Sequence, residues 1–360
     1  MNIDAQILAR MNMPYAVATL RFNLQTFVLL SPEDHGPALF VDAETWQVVR
    51  TLDTPGGTMD MVQHFPDGPI YAVMNCFLGY KFQDAAIYTL QPHDIRRPSD
   101  LWHIARVVDL PFAHRLQPLS IQGREYLIAA TLAEQKTSPQ DWSTPGSVRL
   151  YDTSHWQEPT LLLSNLHRNH GLARISGGFE HSANSQDEIW VSAMEGLFAS
   201  TIEASHSWNF TRLTERDISE YAYFDIDGDG ARELITIEPF HGPALRVYRV
   251  EKTTEQETPR YSLTQVAEHA LEYGHGLWAG KLMGTERIIV GNRAGHGNLL
   301  MFTPANRSQS GNNSIELHPT ILAKGVKTAH VAVLPRTSNS ATLIAANQGD
   351  SSFTKYELSF

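Results

Sequence analysis

Four histidines stand at similar places along the chain, and imidazole is a side chain that binds metals and carries protons. His114, His170, His275 and His330 each open a short apolar segment, as in "HGLWAG" after Gly274. Neutral imidazole suits a borderline transition metal such as zinc or manganese, and its pKa lies close to neutral pH. We predict all four as ligands of a divalent transition metal, with His114 and His170 also as catalytic groups.

Cationic and polar residues accompany the histidines. Arg115 and Arg293 suit a substrate carboxylate, because a guanidinium binds it in bidentate fashion. Arg115 and Tyr80 complete the predicted catalytic set. The predicted substrate contacts lie where second strands end and in the loops that follow: Asn75, Lys81, Lys136, Glu195, His241, Arg293 and Asn347. These groups suit removal of a proton next to a carbonyl or carboxylate, followed by loss of a β-substituent.

A second constellation is acidic. In "DIDGDGARE", Asp225, Asp227 and Asp229 alternate and Glu233 follows. Oxygen ligands at this spacing suit calcium, although the pattern is not an EF-hand loop because the glutamate arrives too early. We predict a structural calcium site, and a polar turn without an ion is the alternative.

The elements that position these residues repeat along the chain. Short apolar strands recur with a period of about fifty residues, which is typical of a β-propeller. The repeats begin near residues 15, 58, 114, 170, 221, 275 and 330. The last repeat has three strands, so residues 3–10 are predicted to supply its fourth strand. The prediction is an all-β, seven-bladed β-propeller that forms a single domain over residues 1–360.

The propeller geometry brings strand ends together. The start of each first strand and the end of each second strand lie on the same face, around one mouth of the central channel. The four histidines are therefore expected around that mouth, in contact with solvent. They would share a metal, or face each other in pairs across a bound sugar. The loop over residues 133–146 is expected to wall or cover the mouth.

Composition excludes several classes of function. The net charge is −11, so the chain lacks the basic excess that nucleic-acid binding requires. No apolar run is long enough to span a membrane. One cysteine and no recognisable signal peptide predict a cytoplasmic protein. No nucleotide-binding or nucleophile motif is present, so no organic cofactor is predicted. The oligomeric state is left open.

Short motifs add a resemblance. The "DIDGDG" turn resembles FG-GAP or VCBS repeats, and "PFAHR", "NHGLARI" and "YGHGLWAG" are similar to blade starts of carbohydrate-eliminating propellers. These include aldos-2-ulose dehydratase, rhamnose–glucuronate lyases and, more distantly, oligogalacturonate lyases. The resemblance implies a lyase or dehydratase that acts on a small uronate or keto-sugar saccharide at the channel mouth. Three alternatives stay open: a propeller that binds a glycan or protein, an epimerase, and a hydrolase using Glu195 and Glu238.

Overall fold

The computed structural model describes residues 1–77, 82–179, 186–203, 208–253, 260–306 and 314–359. Every regular element in these ranges is a β-strand, and the strands form seven sheets. The predicted all-β, seven-bladed architecture is confirmed. Within the described ranges, no helix is long and apolar enough to cross a membrane.

The chain divides into two compact units. Unit 1 consists of Met1–Ile7, Ser192–Phe198 and Thr211–Phe360, and unit 2 of Leu8–Val191 and Ala199–Phe210. Whether residues 1–360 act as a single domain stays a prediction.

The first three sheets after the N-terminal strand β1 (Asn2–Arg10) belong to unit 2. The first sheet contains β2 (Pro14–Phe22), β3 (Gln25–Pro32), β4 (Ala38–Asp42) and β5 (Val48–Leu52). The second sheet contains β6 (Asp60–Gln63), β7 (Ile70–Met74), β8 (Ala86–Pro92) and β9 (Trp102–Asp109). The third contains β10 (Ala113–Ile121), β11 (Arg124–Thr131), β12 (Ala133–Gln135), β13 (Thr144–Asp152) and β14 (His155–Leu166). Each pairs its consecutive main strands in antiparallel register.

Four sheets follow along the chain. The fourth has the order β15 (Gly171–Ile175), β16 (Glu188–Ala193), β17 (Gly196–Thr201), β18 (Thr211–Thr214), and the fifth β19 (Glu220–Phe224), β20 (Glu233–Glu238), β21 (Ala244–Thr253), β22 (Arg260–Ala270). The sixth has the order β23 (Gly274–Leu282), β24 (Thr285–Asn292), β25 (Leu299–Asn306), β26 (Ile315–Ala323). The seventh contains β27 (Thr328–Thr337), β28 (Ser340–Asn347) and β29 (Ser352–Ser359).

The N-terminal strand completes the seventh sheet, whose order is β1-β29-β28-β27. This confirms the predicted fourth strand of the last blade. Because β1 pairs with β29, the backbone N–H and C=O groups at the outer edge of β29 have partners that an open sheet edge would lack.

Burial follows the position of a strand in its sheet. All residues of β20 are buried, whereas most of the outer strand β22 is exposed or half-buried. In unit 1, Ile235, Ile237, Val247 and Phe302 belong to one apolar cluster. In unit 2, Phe40 stacks on Phe27 and meets Trp102 edge-on. The buried second and third strands are therefore the fixed frame from which strand ends present their side chains.

Candidate active site

In unit 1, a short loop after β20 carries His241 to the start of β23. Gly274 N donates to Gly242 O at 3.1 Å, which fastens this loop to the first residue of β23. A Cβ on Gly242 would lie 2.1 Å from the Glu238 carbonyl, so only glycine fits this close turn. The loop therefore holds His241 beside Tyr273 and His275.

Tyr273 and His241 form a hydrogen-bonded pair. Nδ1 of His241 lies 2.8 Å from the Tyr273 hydroxyl oxygen. Tyr273 is 43% exposed, whereas His241 is half-buried and stacks on Phe240 with ring centroids 4.0 Å apart. Both residues have positive φ angles, 67° and 48°, which are uncommon for residues other than glycine. The strained backbone of two adjacent loops thus presents a phenol to solvent with an imidazole behind it.

His275 lies next to His241, and its side chain is buried. The ring centroids of the two histidines are 4.8 Å apart, and His275 is 2% exposed. Nδ1 of His275 donates to the Ala329 carbonyl oxygen at 2.5 Å. This bond places the proton of a neutral ring on Nδ1, which leaves the lone pair on Nε2.

Gly276 explains why glycine follows His275. Its φ is +46°, and a Cβ there would lie 3.1 Å from the Ala329 oxygen and 3.3 Å from the His330 Cα. Gly276 is also the bulged residue between the pairs His275↔Gly291 and Leu277↔Val290. The close approach of β23 and β27, which lets His275 reach Ala329, thus depends on glycine.

Arg293 follows β24 and lies beside Tyr273. Its backbone N donates to the backbone carbonyl oxygen of Tyr273 at 3.0 Å. Its guanidinium donates to Gln348 Oε1 from Nη2 at 2.6 Å and from Nε at 3.2 Å. Next to it, Glu272 Oε1 lies 2.7 Å from His296 Nδ1, and hydrogen bonds from His296 lower the pKa of the Glu272 carboxyl. The loop after β24 is therefore joined to the backbone of Tyr273, and Gln348 holds the Arg293 guanidinium in place. The role of Arg293 as a carboxylate contact stays a prediction.

His330 does not share the position of the other anchors. In β27 the first pair is Thr328↔Asn347, Ala329 bulges out, and His330 then pairs with Ala346. In β10 the first pair is Ala113↔Thr131, and His114 is itself the bulged residue. His330 therefore comes one residue later than His114 and His275 in its register. The expectation of four equivalent anchor histidines is corrected on this point.

In unit 2, His114 and His170 contact each other. Their ring centroids are 4.3 Å apart, and the side chains are 3% and 1% exposed. His275 in unit 1 is equally buried, so the expected solvent-lined position is wrong for these three histidines. Arg115, which follows His114, is half-buried and donates from Nη1 to the Met59 oxygen at 3.5 Å.

A cationic and aromatic cluster lies on the hairpin of β12 and β13 in unit 2. Lys136 Nζ is 3.3 Å from the centroid of the Trp142 ring and donates to the Pro139 oxygen at 2.8 Å, and Arg168 Cζ is 5.6 Å from the same centroid. Burial lowers the pKa of Lys136 to about 8, a net value that includes the opposing effect of Asp141 and a further lowering effect of Arg168. The loop of residues 133–146 thus forms an ordered hairpin. Trp142 and the small strand β12 escaped the sequence analysis, because neither follows the blade repeat.

The predicted polar contacts at strand ends make internal hydrogen bonds. Asn75 Nδ2 donates to the Tyr88 hydroxyl at 2.8 Å, and the fully buried Asn347 donates to the Tyr356 hydroxyl at 3.0 Å and accepts from Thr328 Oγ1 at 2.7 Å. Their role in substrate binding stays a prediction.

The two glutamates of the predicted hydrolytic pair lie in different environments. Glu195 is half-buried in the turn between β16 and β17. Glu238 is 2% exposed. Its carboxylate accepts hydrogen bonds from Arg246 at 2.8 Å, from Tyr248 at 3.2 Å and from Thr236 at 2.8 Å. It also lies 3.4 Å from the Arg216 guanidinium. This buried, fully bonded carboxylate holds the end of β20 together, which does not suit a hydrolytic pair with Glu195. Tyr80 and Lys81 lie outside the described residues.

His275 has one feature that the transition-metal prediction calls for. The Nδ1 bond of His275 to Ala329 is the arrangement that orients a metal-binding imidazole through its other nitrogen. The metal stays a prediction.

The acidic loop of unit 1 is paired with the guanidinium of Arg249. Ligand oxygens of Asp225, Asp227 and Asp229 lie within 4.8 Å of one another. Arg249 Nη2 is 2.9 Å from Asp227 Oδ2 and 3.7 Å from Asp229 Oδ2, and its Nε is 3.9 Å from Glu233 Oε1. Burial, together with the three aspartates, raises the pKa of Glu233 to about 7. Calcium binding stays a prediction, and Arg249 already neutralises part of the negative charge that would attract it.

Comparisons with known proteins identify the fold and nothing narrower. No known family matches the chain, and no curated protein is similar to it at the sequence level. Among solved structures, the chain is similar to one described as the Dos1 propeller, with a TM-score of 0.51 and 10% sequence identity over 92% of this chain and 75% of that one. At this identity the likeness establishes the β-propeller fold alone. The predicted resemblance to carbohydrate-eliminating propellers has no further support from these comparisons.

Proposed function

We propose that the protein is a carbohydrate lyase or dehydratase that eliminates a β-substituent from a small saccharide containing a uronate or a keto sugar. The observation that carries this proposal is the Tyr273–His241 pair, in which an exposed phenol is hydrogen bonded to an imidazole. The backbone of Tyr273 is also bonded to that of Arg293. A phenol activated by a base can remove the proton in such an elimination, and a guanidinium can stabilise the charge that develops on the substrate.

The reaction begins with binding of the substrate carboxylate or carbonyl to Arg293. Tyr273, whose hydroxyl proton passes to Nδ1 of His241, then removes the proton from the carbon next to that group. The electron pair of the broken C–H bond forms a carbon–carbon double bond, and the bond from the β-carbon to oxygen breaks. The leaving oxygen takes a proton from the Tyr273–His241 pair, which returns to its starting state.

The supporting side chains have defined tasks. Arg293 neutralises the charge that develops on the substrate as the proton leaves, and the two bonds to Gln348 hold its guanidinium in place. His275 packs against His241, and its bond to Ala329 fixes its own ring. A divalent metal, if bound by the predicted histidines, would supply Lewis-acid stabilisation of the same charge.

The test is a screen of uronate and keto-sugar disaccharides with the purified protein. Elimination is expected to produce ultraviolet absorbance from a conjugated product. A lyase would give fragments whose summed mass equals that of the substrate, and a dehydratase a product lighter than the substrate by one water. Tyr273→Phe removes the hydroxyl and is expected to lower turnover by about 100-fold or more, in the range of general acid–base catalysis. Tyr223→Phe changes a half-buried tyrosine of β19 and is the matched control.

Each other outcome identifies an alternative. Fragments that have gained one water would indicate a hydrolase, and an isomer of unchanged mass without a new double bond would indicate an epimerase. Saturable binding of a saccharide without any product would indicate a binding protein. Equal turnover of Tyr273→Phe and Tyr223→Phe would contradict the assigned role of Tyr273.

A further inference from the structure

Unit 1 contains a cleft that the histidines do not line. Its volume is about 780 Å³, and its described lining comes from β18, the residues after it, and the start of β22: Arg212, Leu213, Thr214, Glu215, Arg216, Arg260, Tyr261 and Leu263. We call it the arginine cleft. Its volume lies in the range of about 300–1,000 Å³ that is usual for small-molecule sites.

The charge of the arginine cleft is opposite to that of the whole protein. Three arginines and one glutamate give the described lining a net charge of +2, whereas the chain carries −11. Arg212 Nη2 lies 2.5 Å from Glu215 Oε1, and Arg216 Cζ lies 5.0 Å from the centroid of the Tyr248 ring. Guanidinium groups bind carboxylates and phosphates through paired hydrogen bonds, so this lining suits an anionic ligand.

The wall of the cleft is joined to the segment that carries His241. Arg216 Nη1 lies 3.4 Å from Glu238 Oε2, at the end of β20. Asp217 Oδ1 accepts from the backbone N of Phe240 at 3.1 Å, one residue before His241. A ligand that draws Arg216 away from Glu238 would therefore act on the strained loop that holds His241.

We propose that the arginine cleft binds a small molecule with at least two anionic groups, and that binding alters the environment of His241. The ligand chemistry is that of paired carboxylates or phosphates. Binding itself does not depend on the proposed lyase activity. The coupling is measured at His241 directly, so its failure and the failure of the proposed function are distinguishable.

The first experiment is calorimetric titration of the full chain with inorganic pyrophosphate and, separately, with citrate at low ionic strength. One saturable site is expected. The double variant Arg212→Ala/Arg260→Ala removes two guanidiniums and is expected to weaken binding at least about tenfold, because charge-assisted hydrogen bonds are lost. Arg124→Ala, an exposed arginine of unit 2, is the control and is expected to bind as the parent does.

The second experiment follows the imidazole signals of His241 by NMR, assigned by their loss in His241→Gln. A shift that saturates with the calorimetric binding curve is expected in the parent. Arg216→Lys keeps the positive charge but loses the planar guanidinium that faces Glu238. The ligand should therefore still bind, while the change in the His241 imidazole signals on binding falls by at least half.

The outcomes separate the parts of the proposal. Binding of pyrophosphate alone would identify a phosphate-bearing ligand, and binding of citrate alone a polycarboxylate. No saturable binding of either, or equal weakening by the double variant and Arg124→Ala, would overturn the site. Binding that leaves the His241 signals unchanged would overturn the coupling.

Discussion

Lys136 offers a quantitative test of the cluster in unit 2. Burial lowers the pKa of its ammonium to about 8, whereas an exposed lysine titrates at about 10.4. Between these two values the unfolded chain binds a proton that the folded protein does not, so stability is expected to rise with pH. Relative to about pH 7, the gain from this one residue is about 2 kcal/mol at about pH 9.5.

Lys136→Met isolates this contribution, because methionine keeps an unbranched apolar stem and cannot titrate. Urea unfolding at about pH 7 and about pH 9.5 gives the change in unfolding free energy for the parent and the variant. The parent should gain about 2 kcal/mol more than Lys136→Met over this interval. Lys281→Met removes an exposed lysine of β23 and controls for the loss of a surface charge.

An independent readout is chemical. Brief acetylation at several pH values, followed by peptide mapping, should give half-maximal labelling of Lys136 near pH 8. If parent and Lys136→Met gain the same free energy between the two pH values, the ammonium is not destabilised by its burial. The assignment of a lowered pKa would then be wrong.

Two further predictions concern unit 1. Gly276→Ala should lower the unfolding free energy by at least about 1–2 kcal/mol, the cost of a left-handed residue with a Cβ. The loss should exceed that of the control Gly123→Ala, whose φ is also positive but whose Cβ would meet nothing within 4 Å. Equal losses in urea unfolding would show that the approach to Ala329 is not tight. Asp227→Asn should lower the melting temperature even with a calcium chelator present, since it removes a charged partner of Arg249. A rise in the melting temperature of the parent on adding calcium would support the predicted ion site, and no change would leave a turn held by Arg249.

The blade architecture could be read from the sequence because alternating apolar strands and turn residues recur along the whole chain. The missing strand of the last blade followed from counting, and the pairing of β1 with β29 agrees. What the repeat could not show was the register within a blade. Both β10 and β27 have a bulged residue after their first pair; in β10 this residue is His114, whereas in β27 it is Ala329 and His330 follows it.

The side-chain contacts of the candidate site were harder to foresee. The Tyr273–His241 bond depends on left-handed backbone at both residues, which the sequence does not require of a tyrosine or a histidine. The burial of His114 and His170 depends on packing between strands, which the spacing of residues along the chain does not reveal. Polar residues did mark the ends of the second strands, as predicted. Such residues can also serve only to satisfy hydrogen bonds within the protein, as Asn347 does.

The N-terminal strand has a consequence for the motions of the seventh sheet. Residues 2–7 of β1 are all exposed, so little apolar burial reinforces the backbone pairing of this stretch with β29. Strands of this kind open by local unfolding well below the free energy of global unfolding, and their amides exchange early with deuterium. Each opening uncovers the unpaired edge of β29, to which an extended segment of another molecule, including β1 of a second copy, could add by strand exchange.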